Sequence, residues 1–289
     1  MNRLVVHALA ALLCTCALAL TGAAAASDAA EPTLQERVRQ HVGDGKPFIL
    51  HVRVRVPEDV DAAQLEALVR LNRANREATA SEPGAVYFNF LYEPQELGDD
   101  GDPSAARRLL VLEHWSSRAD WEAHLKHGHT RQNMAMFSEL GCDVDLRLYV
   151  PLTDGNPMAN LFGKKPLTME PATSHLDRVR ETVKAHWDFA RPLTVLTELP
   201  VTASADDAAR TELADIAAVT SANAERLTRF VVAVGAEDPK RVLVWQEWPD
   251  ILAYAANADT PRDKRLHEVF NRYGAGRRMT RVYVDPDAE

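Results

Sequence analysis

The sequence predicts an α+β protein made of two consecutive β-α-β-β-α-β units, each a single antiparallel sheet with two helices on one face. Three observations carry this. First, Arg107-Arg-Leu-Leu-Val-Leu-Glu-His-Trp115 returns as Lys240-Arg-Val-Leu-Val-Trp-Gln-Glu-Trp248, a separation of 133 positions that also relates Trp121 to Tyr254 and Phe137 to Phe270. Slipped by one residue, Leu148-Tyr-Val150 pairs with Val282-Tyr-Val284. A separation shared over so long a stretch marks an internal repeat, here a tandem duplication. Second, runs of alternating apolar residues are followed by runs at helical spacing, in the same order in both copies. Third, the length left after an N-terminal leader suits two domains of about 100 to 130 residues.

In chain order, residues 1–26 read as a secretory signal peptide. Arg3 precedes an apolar run from Leu4 to Leu20, and Ala24-Ala-Ala26 before Ser27 is an A-x-A cleavage site. The protein is therefore expected to be exported, periplasmic or secreted. The alternative, a retained membrane anchor, needs roughly 20 apolar residues with flanking charge. A lipoprotein cysteine fits poorly, because Cys14 and Thr15 stand between Leu13 and Cys16. Cleavage leaves Cys142 as the only cysteine, so no intrachain disulfide can form. A lone cysteine at a strand start reads as a small hydrophobe. Without Arg3 the mature chain has 32 basic residues against 42 acidic ones, a net charge of −10. With no basic block, there is no electrostatic case for nucleic acid or anionic lipid.

Residues 27–46 form a helical lead-in, with Leu34, Val38 and Val42 following Glu31-Pro32. Unit one spans 47–152. Its first strand, Phe48 to Val56, places Ile49, His51, Arg53 and Arg55 on one face and Leu50, Val52, Val54 and Val56 on the other. Pro57 to Asp61 ends it and starts a helix carrying Leu65, Leu68, Val69 and Asn72. Glu82-Pro83-Gly84 turns into a second strand, Ala85 to Tyr92, rich in β-formers. An acidic loop, Glu93 to Ala106, leads to the third strand, Arg108 to Trp115, with Leu109, Val111, Glu113 and Trp115 opposite Leu110, Leu112 and His114. Ser117 with Asp120 is a helix start signal, and the helix carries Trp121, His124 and Leu125 before Gly128 interrupts it. Val144 to Val150 closes the unit.

Residues 153–190 form a linker with Asp-Gly-Asn-Pro and Gly-Lys-Lys-Pro turns, then a second lead-in helix with Leu176, Val179 and Val183. Unit two, 191–286, repeats the order. Its elements are a strand Thr194 to Leu199, a helix capped by Ser204 with Asp207, strands Leu227 to Val234 and Val242 to Trp248, a helix Ile251 to Tyr273, and a strand Thr280 to Val284. This is the ferredoxin-like plan.

Glu82-Pro83-Gly84 before a strand, Leu112-Glu-His-Trp115 at a strand end, and Trp121-Glu-Ala-His-Leu125 followed by His129 resemble the antibiotic biosynthesis monooxygenase (ABM) domain. The resemblance covers about Pro47 to Leu152. Unit two departs from it: Gln246 stands for Glu113, Asn257 for His124 and Arg262 for His129, so it resembles a degenerate copy. The resemblance implies two sheets facing each other, here as an internal pseudo-dimer with a homodimer also open. It also implies a pocket between sheet and helices, and oxidation of a quinol-like or polyketide aromatic by O2 without flavin or metal; some relatives bind haem. Such chemistry needs a base of near-neutral pKa and an apolar cavity for an aromatic ring.

The candidates are His124 and His129 as proton acceptors, with Trp115, Trp121, Tyr87, Phe88, His51 and Asn89 as substrate contacts. Trp115 and Trp121 read equally as core fillers, and His124 as a hydrogen-bonding group at a seam. His127 falls opposite the Trp121–Leu125 stripe and reads as solvated. The His124, His127, His129 spacing is incomplete as a metal set, so no metal is expected. The alternative function is a non-catalytic exported module that binds a small hydrophobic ligand, haem included, or serves dimerisation.

Overall fold

The computed structural model describes residues 32–97, 102–152, 191–202, 206–223, 227–257, 260–276 and 278–287. The signal segment 1–26, the linker 153–190 with its Leu176–Val183 helix, and the Ser204 cap lie outside the described residues.

The lead-in before unit one holds α1 (Leu34–His41), started by a capping box in which Thr33 and Glu36 satisfy each other's backbone N–H groups. Strand β1 (Phe48–Arg55) leads to α2 (Ala62–Thr79), capped the same way by Asp61 and Gln64. Strand β2 (Ala85–Tyr92) is followed by an acidic loop holding two single 3₁₀ turns, Pro94–Glu96 and Pro103–Ala105. Then come β3 (Arg108–Trp115), α3 (Arg118–His124), α4 (Gly128–Glu139) and β4 (Asp143–Pro151). Unit two runs β5 (Leu193–Pro200), α5 (Asp206–Asn223), β6 (Arg229–Gly235), β7 (Arg241–Trp248), α6 (Ile251–Asn257), α7 (Pro261–Tyr273) and β8 (Met279–Val284). The single helix expected over Ile251 to Tyr273 is two, because Thr260 caps a new start and Pro261 takes its first turn, where a missing N–H costs nothing.

Within each unit the strands are antiparallel, ordered β4-β1-β3-β2 and β8-β5-β7-β6. The two sheets join at both edges: β2 meets β8 at Tyr92 and Val284, and β4 meets β6 from Tyr149–Gly235 to Pro151–Ala233. The result is a closed eight-stranded barrel with no free sheet edge among the described strands. Strand alternation then sorts side chains into two environments. Ile49, Leu91, Leu110 and Leu112 from unit one meet Leu196, Leu243 and Trp245 from unit two in the barrel interior. The opposite face packs on the helices: Phe48, Leu50 and Trp115 lie against Trp121, while Phe90, Leu109 and Val111 share a cluster with Leu65, Leu68 and Phe137. Among the described residues, no helix is long and apolar enough to cross a membrane.

Candidate active site

The site grows from the turn before β2. Gly84 adopts φ +77°, and a Cβ built there would overlap the Asp120 carboxyl group, so only glycine fits. Asp120 is held by the hydroxyls of Ser116 and Ser117, and Ser117 is also the N-cap of α3. The Ser116 N–H donates to the Gly84 carbonyl at 2.8 Å. The turn is thus fastened to the start of α3, and Glu82, two residues before Gly84, is carried beneath the helix.

Helix α3 ends at His124 and α4 begins at Gly128. In an unbroken helix, residues five apart point about 140° away from each other. The break instead lets His124 and His129 converge on one carboxylate. His124 Nδ1 lies 2.9 Å from Glu82 Oε2, and His129 Nε2 lies 2.7 Å from Glu82 Oε1. Thr130 Oγ1 sits 3.3 Å from both nitrogens of the His124 ring. His124 is 2% exposed and Glu82 7%, whereas the His129 side chain keeps 22% of its surface open. The ligand-capable atoms of the three residues all lie within 4.8 Å of one another.

Aromatic rings wall the cluster. His124 lies 4.8 Å from the Trp115 ring and 5.3 Å from that of Phe88, centroid to centroid. The Trp115 indole N–H donates to Glu113 Oε2 at 2.8 Å. Burial, eased by that bond and reinforced by the charge of Glu82, pushes the Glu113 carboxyl up to about 7. Burial also lowers the pKa of His124, partly opposed by the charge and hydrogen bond of Glu82.

The other sequence candidates are placed elsewhere or differently. Trp121 is 1% exposed and meets Phe48 edge-on at 5.9 Å, inside the helix–sheet core. His51, Asn89 and Tyr87, expected as substrate contacts, do not join the histidines and share no single pocket with them. They occupy the alternate face of β1 and β2 and so point into the barrel; Tyr87 and Phe88, being consecutive strand residues, cannot share a face. Tyr87 packs on Trp245 at 4.7 Å beneath the Arg229 guanidinium, and Asn89 donates to Asp285 at 2.8 Å. His51 is 1% exposed, and its Nδ1 lies 3.6 Å from Glu198. A cavity of about 320 Å³ opens at one end of the barrel, lined by Arg53, Arg281, Glu93, Asp145 and Tyr283 among others. Cys142 is a free thiol that burial pushes up to about 11, which favours its protonated form. His127 is exposed.

Sequence reasoning passed over two residues of the cluster. Glu113 had a signal, since it lies two positions before Trp115 on the same strand face. Glu82 stood in the Glu82-Pro83-Gly84 motif, but nothing local ties it to His124 and His129, because its approach to them is a product of strand pairing.

Among the described residues, the corresponding place in unit two has Asn257 and Arg262 where unit one has its two histidines. Asn257 donates to Asp263 at 3.3 Å and accepts from Arg262, whose guanidinium lies 5.8 Å from the Trp248 ring.

Two ferredoxin-like halves closed edge to edge, with a histidine–carboxylate cluster between the sheet and helices of one half, define an α/β-barrel of the dimeric type folded within one chain. Residues 47–135 match the model of the antibiotic biosynthesis monooxygenase family, and unit one is a domain of that family. The chain is similar to a candidate monooxygenase from Lactobacillus acidophilus at 9% identity, with a TM-score of 0.59 over 84% of this chain and 95% of that one. It is also similar to a candidate monooxygenase from Fusobacterium nucleatum at 10% identity, with a TM-score of 0.60 over 85% of this chain and 94% of that one. At such identities the likeness is one of fold, and it extends over both units. No curated protein matches the chain.

Proposed function

We propose that the protein is an exported monooxygenase that oxidises an electron-rich, quinol-like or polyketide aromatic with O2, using no flavin or metal in the reaction, at the cluster in unit one. The observation that carries this is the convergence of His124 and His129 on Glu82 beside the rings of Trp115 and Phe88. His129 keeps an open edge, so it accepts the phenolic proton on the nitrogen that Glu82 does not engage. Glu82 then stabilises the resulting imidazolium, and His124 braces the carboxylate from behind. The phenolate delivers electrons to O2; one oxygen atom enters the ring system and the other leaves as water. General-base assistance of this kind is worth about 10²- to 10⁴-fold. Export rests on the Arg3-to-Ala26 segment.

The test is oxygen uptake by the purified mature chain with quinols, naphthols and anthrones and no added cofactor. Uptake above autoxidation that disappears in a folded His124→Ala, His129→Ala double variant supports the reading. A second reading, a non-catalytic module that binds a small hydrophobic molecule such as haem or serves dimerisation, draws on the near-complete burial of Trp115 and Trp121 at 0% and 1% exposure. It predicts no enzyme-dependent uptake from any compound in the panel.

A further inference from the structure

We propose that Glu82, His124 and His129 form a binding site for one divalent first-row transition-metal ion of the Zn²⁺ or Co²⁺ type. Two imidazoles and one carboxylate, with positions left open, are the donor set of such ions in protein sites. The nitrogens that a metal would use, Nδ1 of His124 and Nε2 of His129, are the ones already turned toward Glu82, at 2.9 and 2.7 Å. Around a tetrahedral ion, donors stand roughly 3.3 Å apart, given metal–nitrogen and metal–oxygen bonds of about 2.0 to 2.2 Å. The three donors lie within 4.8 Å of one another, so a shift of an ångström or so in side chains alone completes the geometry. The hydrogens between nitrogen and carboxylate move to the far ring nitrogens or leave to solvent.

The rest of the site suits a cation. Glu82 is fastened through the Gly84 turn to the cap of α3, and His124 is fixed between Trp115, Phe88 and Thr130. The nearby Glu113 adds negative potential when ionised. Access runs past the open edge of His129, where the exposed His127 ring lies 5.3 Å away. The inference does not depend on the oxidation reading. Where both hold, they compete: an ion that engages both imidazoles and the carboxylate takes the nitrogens from proton transfer, and Zn²⁺ inhibits oxygen uptake.

Cobalt absorption provides a readout apart from activity. Co²⁺ titrated into the chelator-treated full-length chain is expected to give a visible d–d band that saturates at one equivalent and is displaced by Zn²⁺. Glu82→Gln and His129→Ala, each checked for native circular dichroism, should abolish the band or weaken Co²⁺ binding at least about tenfold, the scale of losing even an outer partner. His127→Ala should leave it intact. No saturable band in the folded wild-type chain overturns the proposal, as does a band that survives both ligand variants. An absence of oxygen uptake with a normal cobalt titration sinks only the oxidation reading.

Discussion

Glu82 is the residue on which the cluster turns, because its two oxygens meet two histidines that, among the described residues, have no other carboxylate in hydrogen-bonding contact. Replacing it with the isosteric glutamine keeps the volume but removes the charge that would stabilise an imidazolium. Glu82→Gln is therefore expected to lower oxygen uptake by about 10²-fold or more, with little change in Tm; a loss matched by unfolding would assign Glu82 a structural role alone. Gly84 is tied to the same carboxylate through geometry. Gly84→Ala forces a side chain into a positive-φ position and against Asp120. Strain of this kind costs about 1 to 3 kcal/mol, to be read from urea unfolding. It should also reduce uptake, since it loosens the turn that positions Glu82.

At the scale of elements, caps and strand phase decide where chemistry can occur. The Ser117 hydroxyl accepts from the Asp120 backbone N–H at 3.2 Å and starts α3. Ser117→Ala should cost about 1 kcal/mol, the usual loss for such a cap. Strand β2 gives a sharper test, because consecutive residues are sent to opposite sides of the sheet. Phe88 lies beside His124 and Tyr87 beside Trp245. Phe88→Leu should change kcat/KM for an aromatic substrate, whereas Tyr87→Leu should alter stability and leave kcat/KM near wild type. Equal effects of the two would move the site into the barrel.

For the whole molecule, closure is the governing fact. Unit one expressed alone would expose Ile49, Leu91, Leu110, Leu112 and Tyr149, all nearly fully buried against unit two. An exposed apolar face of this kind drives association. Residues 27–152 are expected to run as a homodimer or larger in light scattering, and a stable monomer would show that the interior contributes little. The same interior makes stability depend on pH. His51 is lowered to about 3 by burial first, then by the charges of Arg53, Arg147 and Arg281, with Asp145 opposing and Glu198 alongside. The unfolded chain takes up this proton near pH 6.5 and the folded chain only near 3. The His51 contribution is thus fully present above about pH 6.5 and is lost as pH falls toward 3. In His51→Gln, the slope of unfolding free energy between pH 6 and 4 should fall by about 1.4 kcal/mol per pH unit, one proton's worth.

By itself the sequence determined the order of elements, the partition of each strand into two faces, the Ser117 start and the break at Gly128. These are written in periodicities of 2 and 3.6 residues and in cap chemistry, which act over a few neighbouring positions. Only the tertiary structure decided which face of each strand borders the histidines and which lines the barrel. That choice follows from where the helices pack, and it separated His51, Asn89 and Tyr87 from His124 although all four share one unit. The tertiary structure also brought Glu82 to His124 and His129. Strand β2 lies against β3 in a fixed register, so the turn before β2 meets the helix after β3. The barrel closed for the same kind of reason: its seams join residues far apart in the chain, and edge strands carry no local mark of the strand they will meet.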